Sequence, residues 1–103
     1  MTAVDHVKRG DNGPILTYLL NADLTGWTVT LLARRAPDVA PAWQKTGTPT
    51  VANGVTTASF TLTSVETASA GVWLVEVEAI NGATRLTWPS EGYGRLVIEA
   101  DLT

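Results

Sequence analysis

The chain has 103 residues, of which 45% are hydrophobic and 17% are charged. This length suits one domain, because two cores would leave each half too small to offset the entropy of ordering the chain. The formal net charge is −3 and no lysine or arginine run is present, which is unsuited to binding nucleic-acid phosphates. We expect a single globular domain over residues 1–103 with no nucleic-acid partner.

Cysteine is missing from the sequence, so disulfides and thiolate sites are excluded. This fits a reducing compartment, and equally a particle that is assembled in a cytosol. The opening MTAVDHVKRG lacks the apolar core of a signal peptide, and no segment reaches the roughly 20 apolar residues that cross a bilayer. We expect no Sec-dependent export, no membrane partner and a whole small gene product.

Strand patterns follow one another along the whole chain. Three of them have a period of two, as half-buried strands do, each with a row of apolar residues on one face: WTVTLLARR, VTTASFTLT and VWLVEVEA. Weaker candidates are AVDHVKR, ILTYLL, PAWQKT, TRLTW and RLVIEA. Their number and spacing predict an all-β fold, an antiparallel β-sandwich of about seven to eight strands. The inward phase predicts these core residues: Trp27, Leu31, Phe60, Leu62, Trp73, Val75 and Val77.

Turn signals separate these strands. Asn12-Gly13, Asn53-Gly54 and Asn81-Gly82 are pairs that tolerate positive φ and predict tight turns. SVETAS, residues 64–69, predicts a single turn that carries the chain between sheets, and RAPDVAPA predicts an exposed loop. The glycines of SEGYGR lack the strand-to-helix context of a phosphate-binding loop and predict a bend before the last strand.

Residues that could support catalysis or bind a metal are sparse. His6 is the only histidine, and no cysteine accompanies it, so a nucleophile and base pair is not expected. Glu76 and Glu78 share one strand face without a flanking ligand loop, which favours a solvated outer face over a metal site. Arg9-Gly10-Asp11 matches an adhesion tripeptide but sits in a longer turn-forming stretch. We expect a protein that is not an enzyme and needs no cofactor or metal.

Four tryptophans in so short a chain raise the alternative of a sugar-stacking surface. Trp27 and Trp73 follow inward patterns, whereas Trp43 and Trp88 lie beside predicted loops and are the candidate surface aromatics. A carbohydrate- or receptor-binding module that contacts a host-surface glycan therefore stays open as a second class of function.

Three blocks of the sequence together resemble one known family. They are KRGDNGPIL, DLTGWTVTLLARR and SVETASAGVWLVEVEAINGATRLTWPSEGYGRLVIE, and they omit chiefly residues 37–55. Their order and spacing are similar to the small immunoglobulin-like domain of tailed bacteriophages, related to the N-terminal domain of the phage baseplate upper protein. The matching motifs lie at 8–11, 23–29, 67–78 and 88–93. The chain departs from the family at Trp27 and Trp73, where smaller or tyrosine-like residues are commoner.

This resemblance implies an immunoglobulin-like sandwich and a non-enzymatic structural role in a phage virion. It places the protein in the tail or baseplate, made in the bacterial host cytoplasm, in multiple copies, with other virion proteins as partners. A capsid (head) decoration or minor capsid protein is the alternative within this class. Residues 69–75 lie where immunoglobulin domains carry Asp-x-Gly-x-Tyr-x-Cys, so apolar packing of Trp73 and Val75 takes the place of a disulfide.

The candidate assembly contacts lie in three segments, which are residues 2–9, 37–43 and 88–93. These segments hold the large apolar groups that the alternating strand faces do not accommodate, and such groups are costly to expose unless a partner covers them. The individual candidates are Trp43, Trp88, Tyr93, Lys8 and Arg9.

Overall fold

The protein is all-β in a computed structural model that describes residues 4–89 and 93–100. The predicted fold class is confirmed at this level, with nine strands rather than seven or eight in the described chain. The strands are β1 (Val4–Lys8), β2 (Ile15–Leu20), β3 (Thr28–Arg34), β4 (Trp43–Thr46), β5 (Thr48–Ala52), β6 (Val55–Thr61), β7 (Gly71–Asn81), β8 (Thr84–Trp88) and β9 (Gly94–Glu99).

The strands form two sheets that pack face to face. The large sheet has the order β1-β9-β7-β3-β4, with β8 also paired to β7, and the small sheet has the order β2-β6-β5. The long β7 pairs with β3 along one edge and with β9 and then β8 along the other. The pair β1–β9 is parallel, so the expectation of a wholly antiparallel sandwich is wrong. This pair joins the first and last of the described strands, which are distant in sequence. No local sequence pattern indicates whether two such strands run parallel or antiparallel.

One apolar core fills the space between the sheets. Six of the seven predicted core residues are buried, and Trp27 is only partly buried because it lies in the turn before β3 begins. Sequence reasoning also missed β5, whose Pro49 and polar neighbours weaken its strand pattern. The largest fully buried side chains outside the predicted set are Tyr18, Leu20, Leu24, Leu96 and Ile98.

The tight turn predicted at Asn53-Gly54 is confirmed, whereas Asn12-Gly13 lies in an irregular connection between the two sheets and Asn81 is the last residue of β7, with the turn at residues 82–83. Asn53 and Gly54 both have positive φ, 53° and 75°, as the type I′ turn between β5 and β6 requires. The 64–69 segment forms the expected turn between the sheets: the Glu66 carboxylate accepts the Thr63 backbone N–H at 2.8 Å, and the Thr67 N–H donates to the Thr63 carbonyl at 3.2 Å. The bend predicted at 90–92 lies outside the described residues.

Gly47 lets the chain pass from one sheet to the other. It joins β4 of the large sheet to β5 of the small sheet, and its N–H donates to the Val29 carbonyl at 2.9 Å. A Cβ at this position would overlap the Phe60 ring and lie 2.8 Å from the Ser59 carbonyl oxygen. Glycine is therefore required by close packing at this edge of the sandwich.

Gly47→Ala is expected to lower the free energy of unfolding by roughly 1–3 kcal/mol, as overpacking of a filled core does. In a Phe60→Leu background the same substitution should cost less, because the smaller side chain makes room for the methyl group. Urea unfolding of the four proteins of this double-mutant cycle measures the coupling. An equal loss in both backgrounds would show that the Phe60 ring is not the obstacle.

Candidate assembly surface

Trp43 and Trp88 face the core rather than the solvent. Trp43 is opposite the buried Ala33, and Trp88 is opposite the buried Val77. Directly opposed residues share a sheet face, so both indoles point inward, where they are half-buried and pack against the core. The expectation that they are exposed loop aromatics is therefore wrong, although a contact role for their exposed portions stays a prediction. The strand register determines that these two indole side chains point inward, and the sequence pattern of such short strands does not show this orientation.

Trp43 belongs to a cluster that holds the corner before β7. Its ring centroid lies 6.1 Å from that of Trp73, whose indole N–H donates to the Ser69 carbonyl at 3.3 Å. The Arg35 guanidinium stacks 3.7 Å from the Trp73 ring centroid and donates to the Ala70 carbonyl at 3.1 Å. This cation–π contact and the two hydrogen bonds fix the corner to the large sheet, so the cluster has a structural role.

The other candidate contacts lie at the surface. Lys8 forms an exposed ion pair with Glu99 at 3.2 Å, which solvent screens. Arg9 is exposed, and its backbone N–H donates to the Glu99 carbonyl at 2.7 Å. Tyr93 is half-buried, with its hydroxyl 3.5 Å from the Pro37 carbonyl oxygen, so it links two of the predicted contact segments. The remainder of those segments at residues 2–3 and 90–92 lies outside the described residues.

The Arg9-Gly10-Asp11 tripeptide forms the turn that its sequence context predicts. Gly10 has a φ of 84°, and the Asp11 N–H donates back to the Lys8 carbonyl at 3.2 Å. The Gly10 N–H donates to the Thr67 carbonyl at 3.0 Å, and the Thr67 hydroxyl donates to the Asp11 carbonyl at 2.7 Å. These bonds tie the turn to the 64–69 corner.

The acidic residues of β7 are not freely solvated, contrary to the sequence-based expectation. Glu76 pairs with Arg34 at 3.4 Å, and both side chains are only 18% exposed. Glu78 pairs with Arg85 at 3.5 Å and is 19% exposed. Neighbouring strands on both sides of β7 cover these carboxylates and supply the arginines. The outer face of the large sheet therefore carries paired charges, and it also exposes the aliphatic residues Val72 and Ile80.

The outer face of the small sheet carries no charged residue, and we call it the neutral face. Its polar members are threonines and a serine, while Ile15 and Leu19 are 62% and 56% exposed. The sequence pattern predicts that the threonines of β6 face outward, but it does not determine which residues of ILTYLL do so. The neutral face consists of Ile15, Thr17 and Leu19 on β2, Val55, Thr57, Ser59 and Thr61 on β6, and Thr48, Thr50 and Ala52 on β5.

β2 forms one edge of the small sheet among the described strands. The phase of its hydrogen bonds follows from the Leu62 N–H, which donates to the Pro14 carbonyl at 2.8 Å just before β2 begins. In an antiparallel pair the hydrogen-bonded positions alternate along each strand. The backbone N–H and C=O groups of Leu16, Tyr18 and Leu20 therefore point toward β6. The N–H and C=O groups of Ile15, Thr17 and Leu19 therefore point away from β6, along the edge.

Tyr18 and Asp5 join the two sheets beside this edge. The buried Tyr18 hydroxyl donates to the Asp5 carboxylate at 2.9 Å, which links β2 to β1 of the large sheet. Burial of the Tyr18 hydroxyl raises its pKa, and the Asp5 charge and the hydrogen bond to Asp5 raise this pKa further.

Within the described residues the structure contains no pocket and no cluster of three or more side chains suited to hold a metal ion. Among the same residues no helix is long and apolar enough to cross a membrane. No protein-family model, no curated protein and no solved structure matches the chain.

We predict that the Tyr18 hydroxyl makes stability fall at alkaline pH. Folding raises its pKa above the ordinary value of 10.0, so the unfolded chain loses this proton first as pH rises. One such group makes the free energy of unfolding fall more steeply with pH, by up to roughly 1.4 kcal/mol per pH unit. Tyr18→Phe should therefore lose less stability than the parent between about pH 9 and about pH 11, as urea unfolding would measure.

Tyr93→Phe is the matched control, since it removes the hydroxyl of a half-buried tyrosine on the large sheet side. It measures how far the loss of a tyrosine hydroxyl outside the Tyr18–Asp5 pair changes the dependence of stability on pH. If the free energies of unfolding of Tyr18→Phe and the parent fell equally as pH rises, Tyr18 ionisation would not control the alkaline loss of stability.

Proposed function

We propose that this chain is a non-enzymatic structural protein of a tailed-bacteriophage virion. In this proposal it is an immunoglobulin-like module that acts through contacts with other virion proteins, is made in the host cytoplasm, and is present in several copies per particle. The tail or baseplate is the proposed location, and head decoration is the alternative within the same class.

The strand arrangement supports the immunoglobulin-like assignment. An immunoglobulin domain places strands B, E and D in one sheet and strands C, F and G in the other. The small sheet has the order β2-β6-β5, and the large sheet contains β3, β7 and β9 as neighbours. These strands correspond to B-E-D and C-F-G by their order along the chain.

The corner before β7 supports the same assignment. Immunoglobulin domains place a tyrosine near the start of strand F, and its hydroxyl bonds to backbone a few residues upstream. Trp73 holds this position and donates from its indole N–H to the Ser69 carbonyl at 3.3 Å. Val75, two residues later, is fully buried where the family's cysteine would lie. Apolar packing thus takes the place of a disulfide at this point of the core.

The neutral face is the main observation that supports a function in protein assembly. Ten outward positions on three strands hold no charge, although the chain as a whole has a net charge of −3. Two large aliphatic side chains, Ile15 and Leu19, are more than half exposed there. Interfaces are depleted in charged residues at their centres, and a contiguous uncharged surface with exposed aliphatic groups fits that composition.

The carbohydrate-binding alternative gains no support from the tryptophans. Stacking on a sugar needs an exposed indole face. Trp27, Trp43 and Trp88 are half-buried against the core, and Trp73 is buried. Assembly through protein contacts is therefore the function we propose.

We predict that purified virions of the phage that encodes this chain contain it in several copies. Mass spectrometry of gradient-purified particles tests its presence, and immunogold labelling distinguishes the tail from the head. Thr57→Lys places a charge at the centre of the neutral face, on the middle strand, and should reduce the number of copies per particle.

Thr30→Lys is the matched control, because it adds the same charge to the outer face of the large sheet, opposite Glu78. It should be incorporated like the parent protein. Absence of the chain from purified virions while it accumulates in the infected cell would overturn the structural role. Equal incorporation of the folded Thr57→Lys variant would overturn the neutral face as the contact surface.

A further inference from the structure

β2 differs from the other outer strands of the described fold in having no feature that blocks edge-to-edge pairing. Natural sheets protect their edges with charged side chains or proline. β1 carries Asp5, His6 and Lys8, β4 carries Lys45, β5 carries Pro49 and β8 carries Arg85. β2 has the sequence ILTYLL, with neither a charge nor a proline. Its exposed edge is thus open to a further strand.

We infer that β2 is the site at which a second copy of this chain binds, by antiparallel pairing of β2 with β2. The inference goes beyond the proposed virion role and does not depend on it. The pairing would join the two small sheets into one sheet that crosses the dimer axis.

The backbone phase makes β2 complementary to itself. The outward-pointing N–H and C=O groups belong to Ile15, Thr17 and Leu19, which are evenly spaced about Thr17. A two-fold axis at Thr17 places Thr17 opposite Thr17 of the second copy, and Ile15 opposite Leu19 of the second copy. All three positions then become hydrogen-bonded pairs, so every outward backbone group of these residues finds a partner.

The side chains favour the same register. Ile15, Thr17 and Leu19 all lie on the neutral face, so this pairing brings each exposed aliphatic side chain beside another aliphatic one. Threonine meets threonine at the axis. Cross-strand apolar pairs and threonine pairs both stabilise a sheet, and each buries surface that the monomer leaves in water.

The net charge of the chain and the lack of charge on β2 favour a second copy as the partner of this strand edge. Two chains with a net charge of −3 repel each other weakly, so a contact between copies is favoured where the local surface is neutral. β2 and the adjoining neutral face meet this condition. An acidic or basic peptide would gain no opposite charge from β2, whereas a second β2 supplies an uncharged strand of equal length and matching phase.

Cysteine crosslinking tests the register, because the native chain has no cysteine. Thr17→Cys should form a disulfide-linked dimer under mild oxidation, since hydrogen-bonded antiparallel partners lie about 5.5 Å apart at Cα, within disulfide reach. Ile15→Cys alone should not crosslink, because its own copy is four residues away along the strand, roughly 13 Å. A mixture of Ile15→Cys and Leu19→Cys should crosslink to each other.

Thr50→Cys is the matched control, as it lies on the neutral face but on β5, at the other side of the small sheet. It should remain monomeric on a non-reducing gel. Size-exclusion chromatography with light scattering should give about twice the monomer mass for the parent protein at high concentration. Thr17→Lys, which brings two like charges together at the axis, should shift that mass to the monomer value.

Three results would overturn the inference. One is a folded Thr17→Cys protein that gives no crosslink while the parent stays monomeric. Another is crosslinking of Ile15→Cys with itself, which would exclude the register. The last is dimerisation of the Thr17→Lys variant equal to that of the parent, which would place the dimer interface elsewhere. Circular dichroism of each variant verifies that it folds.

Discussion

The alternation of β7 is the constraint on which the rest of the structure depends. This strand pairs with β3 on one side and with β9 and β8 on the other, so its register positions most of the large sheet. Every second side chain from Trp73 to Ala79 is buried in the core. A shift of one residue would turn this apolar row to the solvent and bring Glu76 and Glu78 inward, which is too costly to occur. The strand is held at its start by the bonds of Trp73 and Arg35 to the preceding corner, and no disulfide is needed.

The sequence predicted the strands that carry a row of apolar residues with a period of two, and it failed where contacts between distant segments decide the structure. The strands β3, β6 and β7 are recognisable because each has such a row on the face that packs against the core. By contrast, β5 contains Pro49 and mostly polar neighbours, so it has no local strand signal. The parallel β1–β9 pair depends on where the two termini of the fold meet, which no periodicity encodes. The positions of Trp43 and Trp88 beside loops predict surface side chains, but the strand register turns both toward the core.

The expected exposure of two aromatic side chains was wrong in a related way, while their role in assembly contacts stays a prediction. The large aromatic groups predicted at the surface support the core, whereas the exposed aliphatic residues include Ile15 and Leu19, on a strand whose inward side the sequence left open. A six-residue stretch with apolar residues at nearly every position does not reveal which side is inward. Only its pairing with β6 assigns Leu16, Tyr18 and Leu20 to the core and leaves the other three residues at the neutral face. The signal available in the sequence was the lack of any charge in ILTYLL, a pattern typical of either a covered strand or a strand that meets a partner.

The proposed dimer requires β2 to be an open edge, with the backbone groups of Ile15, Thr17 and Leu19 directed away from the small sheet. Hydrogen exchange of individual backbone amides, followed by NMR at low and high protein concentration, tests this requirement. We expect slow exchange for Leu16, Tyr18 and Leu20 at both concentrations. The Thr17 and Leu19 amides should exchange rapidly at low concentration and become protected as the concentration rises. Protection of the Thr17 and Leu19 amides at a concentration where light scattering gives the monomer mass would show that this edge is already covered within a single chain, and the proposed dimer would then be wrong.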